Sequence, residues 1–238
     1  MNKIIKLLIA IVYLICLVLI LYAFFTLIDV TQITNYSYIR EKSQILINYR
    51  DNNLIIFTLL FFLFCVFWIL LLGFATPVAI MSGFIFGSFA GTIISVLGFT
   101  IGCTSMYILA KIYFRELIIK HLESKIIKFK NLFNKNEFLY FMIFRFAGGG
   151  GIPFAIQNVL PVIFDMKVKN YFYASLTGLV PSIFIINTLG SGIEKIIELN
   201  EKPSMTEIIL NPEIYLPLLG FLLILIISYF LKKKFFKN

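Results

Sequence analysis

The chain has 238 residues, 60% of them hydrophobic and 14% charged, with a formal net charge of +9 and a mean hydropathy of +0.95. Soluble domains run about 45–50% apolar and about 25% charged, so this composition excludes a water-soluble fold. One histidine (His121) and three cysteines set inside apolar stretches (Cys16, Cys65 and Cys103) argue against a zinc cluster, a disulfide framework or a histidine-centred catalytic site.

A membrane-crossing helix needs roughly 20 apolar residues. Leu7–Ile28 meets that length, exceeds the core of a secretory signal and lacks a small-residue cleavage site, so it is expected to be a retained anchor. With the polar connector after it, it makes up a first segment, 1–53. The next segment, 54–192, is expected to be the membrane domain. Its first part, Leu54–Ala110, carries no charge. It divides into a spanning helix, an interrupted element near 76–91 and a second spanning helix.

Residues 111–137 follow, with seven Lys/Arg against three acids. Ile118, Leu122, Ile126, Phe129 and Phe133 recur there at helical steps, which suits an amphipathic helix in the inner headgroup layer or a solvated connector. Phe138–Phe164 holds one charge, Arg145, and is expected to fold back near 145–163; Tyr171–Ile193 holds none. The last segment, 193–238, comprises an acidic loop, a final span and the basic tail Lys232, Lys233, Lys234 and Lys237.

The fold expected is therefore an all-α polytopic membrane protein. It has about five spanning helices and two opposed re-entrant hairpins in an inverted repeat, with an amphipathic surface helix between them. Basic loops mark the cytoplasmic side, which puts 111–137 and the tail inside and 193–213 outside. Two full crossings within 54–110 then place 29–53 inside and the N-terminus outside, against Lys3 and Lys6. No basic groove interleaved with aromatics offers a nucleic-acid site.

Two interruptions carry the functional signal. The first contains Pro77, Gly83 and Gly87. The second runs from Arg145 through Gly148, Gly149, Gly150, Gly151, Pro153, Gln157, Asn158 and Pro161. Four glycines and two prolines do not sit in a continuous helix, and broken backbone at membrane depth survives only where protein buries it or a wet cavity adjoins it. Pro-x-Ala-Ile occurs in both, at Pro77–Ile80 and Pro153–Ile156, as paired halves of a transporter-type repeat would require. Gly83, Gly87 and Gly91, like Gly98 and Gly102, are spaced by four, for close helix packing, a hinge or a homo-oligomer face.

Arg145 carries a permanent charge whose five donors suit a phosphate. Two readings stand for it: a binding group with Asp165 as ion-pair partner, although Lys167 and Lys169 sit closer to Asp165 in sequence and suggest a solvated edge there, or an interfacial arginine reaching lipid headgroups. No P-loop, Ser/His/Asp set or metal cluster is present, so neither an enzyme nor a cofactor is expected.

The series Pro77, Gly83, Gly87, Gly91, Gly98, Gly102 and Lys111, then Arg145, Pro153-Phe154, Asn158, Tyr171, Gly178, Pro181 and Gly190-Ser191, resembles the VTT domain of the SNARE-associated Golgi protein family, relatives of bacterial DedA proteins. The likeness covers roughly residues 55–192. It implies a bacterial plasma-membrane protein whose facing hairpins move lipids between leaflets, of flippase or scramblase type, with phospholipid or undecaprenyl phosphate as cargo. Arg145 corresponds to the family's arginine ahead of the second hairpin, Pro153 and Asn158 to its Pro and Asn, and Gly190 to its helix-end glycine. The chain departs from the pattern in Gly148–Gly151 and in having no acid in the first hairpin, where a proton-coupled mechanism would use one. The alternatives are a small-solute or ion transporter and a non-transporting membrane-assembly protein.

Overall fold

The computed structural model describes residues 36–71, 73–116, 136–146, 152–199 and 205–235, and additionally residues 11, 12, 15, 18, 22 and 133. All regular structure among the described residues is helical. The amphipathic helix expected over 118–133 (Phe133 apart) and the tetraglycine Gly148–Gly151 lie outside them, as does most of the anchor. The chain forms two compact units, Met1–Phe57 and Thr58–Asn238.

The first unit contains α1 (Tyr36–Asn52), where Arg50 pairs with Asp51 at 2.7 Å and Lys42 lies over the Tyr38 ring. The division falls within α2 (Leu54–Leu71), which is apolar apart from Thr58 and of which only Phe61, Cys65 and Ile69 are buried. After α2 the chain bends sharply. Gly73 adopts φ +69°, and Trp68 Nε1 donates to the Phe74 carbonyl at 2.7 Å, closing the bend.

Helix α3 (Thr76–Tyr113) opens with Pro77 in its first turn, where a missing N–H is harmless. It is two helices joined at Gly87, whose φ 77°, ψ 176° is a glycine-only conformation. The Ser82 hydroxyl donates to the Gly91 carbonyl at 2.9 Å, whereas nine residues of straight helix span about 13–14 Å. Residues 76–86 therefore fold back against 88–113. A Cβ on Gly98 would press on Cys65, and one on Gly102 on Val66 and Ile69, so the long arm runs in the same direction as α2.

The second half repeats this order. Helix α4 (Glu137–Phe146) is followed by α5 (Phe154–Val159), which runs into a 3-10 turn, Leu160–Phe164. Arg145 near the end of α4 bonds Asn158, while Glu137 at its start accepts from the Lys167 backbone and from Asn170, so α5 returns antiparallel to α4. Asp165 takes a left-handed turn (φ 54°) that an aspartate tolerates, and α6 (Val168–Leu199) then runs beside α4 in the same direction. Pro181 is accommodated inside α6.

The long arm of α3 and α6 pack antiparallel. Phe89 meets Phe184, Ser95 meets Asn187, the rings of Tyr107 and Tyr171 stack at 4.4 Å, and Lys111 meets Asp165. A short helix, α7 (Met205–Leu210), leads into α8 (Pro212–Phe235), which packs antiparallel to α6 through Gly192–Glu213 and Gly220–Ile185.

The interruption expected near 76–91 carries a reversal at Gly87, and a further bend of that half lies upstream, at 73–75. Four of the five four-spaced glycines pack within the chain, Gly83 and Gly91 against Asn187 and Gly98 and Gly102 against α2, while a Cβ on Gly87 would meet nothing within 4 Å. Among the described residues, three helices (Leu54–Leu71, Thr76–Tyr113 and Val168–Glu198) are long and apolar enough to cross a membrane.

Candidate functional site

Arg145 sits in the last turn of α4 with 1% of its surface exposed, one of the largest fully buried side chains in the described structure. The sequence around it explains its direction. Phe141, one turn earlier on the same face, is also buried, so the arginine points with that face into the protein rather than outward. Gly178 of α6 lies against the Arg145 Cβ and the Met142 carbonyl, which brings α4 and α6 close enough to enclose the guanidinium.

The guanidinium donates to Asn158 Oδ1 at 2.7 Å and to the Tyr171 hydroxyl at 2.8 Å, with a longer 3.5 Å contact to Gln157 Oε1. The Tyr171 hydroxyl in turn donates to the Asn158 carbonyl, and Gln157 Nε2 to the Ile152 carbonyl. Rings of Phe141, Phe154 and Tyr171 surround the cation at 4.8, 5.0 and 5.7 Å, within cation–π range. Arg145 Nε has no acceptor. All its partners are neutral: a buried positive charge faces no carboxylate among the described residues.

Of the residues singled out in the sequence, Arg145, Gln157 and Asn158 converge, with Pro153 capping α5 directly before Phe154. Asp165 does not join them. Its side chain is 61% exposed and pairs with Lys111 at 2.8 Å; that partner holds its carboxyl below the ordinary carboxylate range. The physical reason is the reversal at 160–167, which carries Asp165 back to the rim where α4 began. Lys111 also donates to the Met166 carbonyl, as does the Tyr107 hydroxyl, fastening this turn to the long arm of α3. Pro161 is buried in the 3-10 turn.

A second buried polar group joins the halves. Asn187 Nδ2 donates to Ser95 Oγ at 3.2 Å and to the Ile183 carbonyl at 2.9 Å, while its Oδ1 has no partner. Gly83 lies against the Asn187 backbone, and Gly190 against Ile80 and Phe84, where any side chain would overlap backbone atoms. The bend after α2 meets the start of α5: a Cβ on Gly73 would be 2.7 Å from that of Ala155. Tyr171, Tyr107, Ser95 and Asn187 were not singled out as site residues in the sequence. Their signal was a polar side chain recurring at helical steps on an apolar helix.

The VTT domain family profile matches residues 73–192, the stretch that holds Arg145, Asn158, Tyr171 and Asn187. The uncharacterized protein YqeD of Bacillus subtilis (strain 168) is 28% identical over 116 residues, 48% of this chain and 55% of that protein, so the match spans about half of YqeD. Transmembrane protein 41 homolog of Caenorhabditis elegans is 22% identical over 177 residues, 72% of this chain and 70% of that protein. No solved structure matches the chain.

Proposed function

This chain belongs to the VTT-domain family, and from that premise we propose that it moves phosphate-bearing lipids between membrane leaflets, with Arg145 as the group that holds the headgroup phosphate. The observation that carries this is a guanidinium fully buried against neutral partners. An arginine at membrane depth is costly and is retained where it pairs or works. Among the described residues no acid neutralises it, and its free Nε and planar fork suit a phosphate. The conformation described is closed over the arginine. A phosphate reaches it by replacing Asn158 Oδ1 and the Tyr171 hydroxyl, with the acyl chains left in the membrane. On this reading the protein is a translocator and not an enzyme, and its partners are membrane lipids.

The same reading takes α2 with 76–86, and α4 with α5, as two opposed re-entrant hairpins whose tips meet at Gly73 and Ala155. Counting α2 and 76–86 as a return to the side of entry leaves a single crossing, the long arm of α3, between 53 and 114. The basic stretch 111–137 then lies inside and 29–53 outside, and one crossing by the anchor puts the N-terminus inside. Lys3 and Lys6 now agree with the rest of the charge pattern, and the tail stays cytoplasmic.

The test is reconstitution of the full chain into vesicles carrying fluorescent phospholipid or undecaprenyl-phosphate probes, read as loss of outer-leaflet signal. Transbilayer movement of either probe that falls with Arg145→Ala is the expected result. Movement of neither probe, or rates indifferent to Arg145→Ala, would overturn the assignment and favour a small-solute transporter.

A further inference from the structure

Five buried side-chain atoms among the described residues have no hydrogen-bond partner: Thr100 Oγ1, Thr104 Oγ1, Arg145 Nε, Ser175 Oγ and Asn187 Oδ1. They are not scattered. Thr100, Thr104, Tyr107 and Lys111 follow one another at i, i+4, i+7 and i+11 and so share one stripe of the long arm of α3. Tyr171, Ser175, Gly178 and Ser182 repeat the same spacing on α6. The stripes join where Tyr107 stacks on Tyr171, and the α6 stripe faces Arg145 through Gly178 and the Phe146 carbonyl through Ser182. Asn187 and Ser95 continue the polar series toward Gly87, while Lys111 and Asp165 close it at the opposite rim.

Thr100 and Ser175 are fully buried, and Thr104 is 8% exposed. A serine or threonine in an apolar helix commonly satisfies itself on the carbonyl four residues earlier, as Thr92, Thr177 and Thr188 do here. Thr100, Thr104 and Ser175 do not. An unsatisfied buried hydroxyl destabilises the packed state it sits in, so a whole row of them marks a surface that finds its partners in another state.

We propose that the seam between the long arm of α3 and α6 is the route of the headgroup: Thr100, Thr104 and Ser175 act as successive donors to phosphate oxygens on either side of Arg145, and the seam parts to admit phosphate and water. This rests on the lipid-translocator reading above and adds the path to it. The donors are neutral, and of the two cations described along the route Lys111 is paired with Asp165 at the rim, leaving Arg145 as the one facing only neutral groups, which suits an anion that must leave as readily as it enters.

The test compares wild type, Thr100→Val/Thr104→Val, Ser175→Ala and Arg145→Ala in vesicles of phosphatidylethanolamine and phosphatidylglycerol, with fluorescent phosphatidylglycerol as probe. Thr177→Val, whose hydroxyl bonds the Tyr173 carbonyl on an exposed face, is the control. The expected result is at least about a tenfold slower transfer in the double valine variant and in Ser175→Ala, with an unchanged or higher melting temperature, and wild-type behaviour from the control. Arg145-dependent transfer with seam variants at the wild-type rate would sink the route and leave the translocator reading standing. An independent arm needs no transport at all. In membranes, Thr104→Cys is expected to react with a charged, water-soluble thiol reagent at least about ten times faster than Ile101→Cys on the lipid side, the modified site being located by peptide mass. Equal or slower reaction at 104 would overturn the proposal, whatever the vesicles show.

Discussion

Replacing Arg145 by methionine separates a structural from a functional charge. The side chains are similar in length, and the pocket of Phe141, Phe154 and Tyr171 rings accepts a thioether. Two good hydrogen bonds are lost, to Asn158 and Tyr171, each worth about 1.5–3 kcal/mol when one partner is charged, together with about 1–2 kcal/mol of cation–π attraction. Tyr171 keeps its bond to the Asn158 carbonyl and Gln157 keeps Ile152, so only Asn158 Oδ1 is left bare. Against this, removing a buried cation that has no counter-charge returns several kcal/mol of desolvation. The terms offset to within a few kcal/mol. Arg145→Met is therefore expected to melt within about 10 °C of wild type, at roughly 2–4 °C per kcal/mol for a chain of this length. Its transfer rate should fall roughly 100-fold or more, as befits the loss of about 3 kcal/mol of contact with a phosphate. Melting in the same vesicles used for lipid transfer checks both. A variant that loses its fold while Arg145→Lys restores folding and leaves transfer impaired no more than folding would show the arginine to be structural, and would refute the reasoning.

Two glycines predict opposite mechanisms of damage. Gly87→Ala meets nothing within 4 Å, so its cost is backbone strain alone, about 1–3 kcal/mol, seen as a lower melting temperature. Gly190→Ala drives a methyl into the Ile80 carbonyl and the Phe84 backbone, and is expected to destabilise more than Gly87→Ala and to part the two halves, as limited proteolysis would report. At the rim, the Asp165 carboxyl is held below its ordinary value of 3.8, first by its bond to Lys111. A lowered folded-state value means stabilisation that is present above 3.8 and lost as pH falls below it, so the difference in melting temperature between wild type and Asp165→Asn is expected to be small, constant near neutrality and gone in strong acid. A reporter fused to Met1 is expected on the cytoplasmic side, and a cysteine in 29–53 is expected to react from outside; the reverse labelling would refute the single-crossing count.

Much of this was legible in the sequence because the signals were local. A charge-free run, a proline or a positive-φ glycine each changes the backbone where it stands, so the broken segments around Pro77, Gly87 and Pro153 could be read directly. So could Arg145, since one guanidinium in an apolar stretch requires an explanation. Partners across sequence could not. For Asp165 the sequence leaves open a pairing with Arg145 or a solvated edge beside Lys167 and Lys169; the 3-10 turn at 160–164 sends it to the rim, where Lys111, 54 positions upstream, takes it. The glycines spaced by four were read as a helix-packing pattern, but spacing does not say whose helix, and the answer was Asn187 and α2 of the same chain.

The position of the first bend shows why crossing counts need contacts. Hydropathy makes Leu54–Leu71 long enough to span, and only the alignment of Cys65 with Gly98 and Ile69 with Gly102 fixes its depth against the long arm of α3. On that alignment α2 ends about level with residue 104, while the long arm runs on to Tyr113, nine further residues or roughly 13 Å at 1.5 Å each. Gly73 thus lies short of the end that Lys111 marks, in contact with Ala155 from the other half. The bend of the first half meets the first turn of α5 at that depth, and Asn158, three residues further along α5, bonds the buried guanidinium. Backbone groups freed there need polar neighbours, and those at hand are the amides of Gln157 and Asn158 that also hold Arg145. The hairpins and the charge are in this sense one arrangement: each supplies what makes the other tolerable in an apolar surrounding.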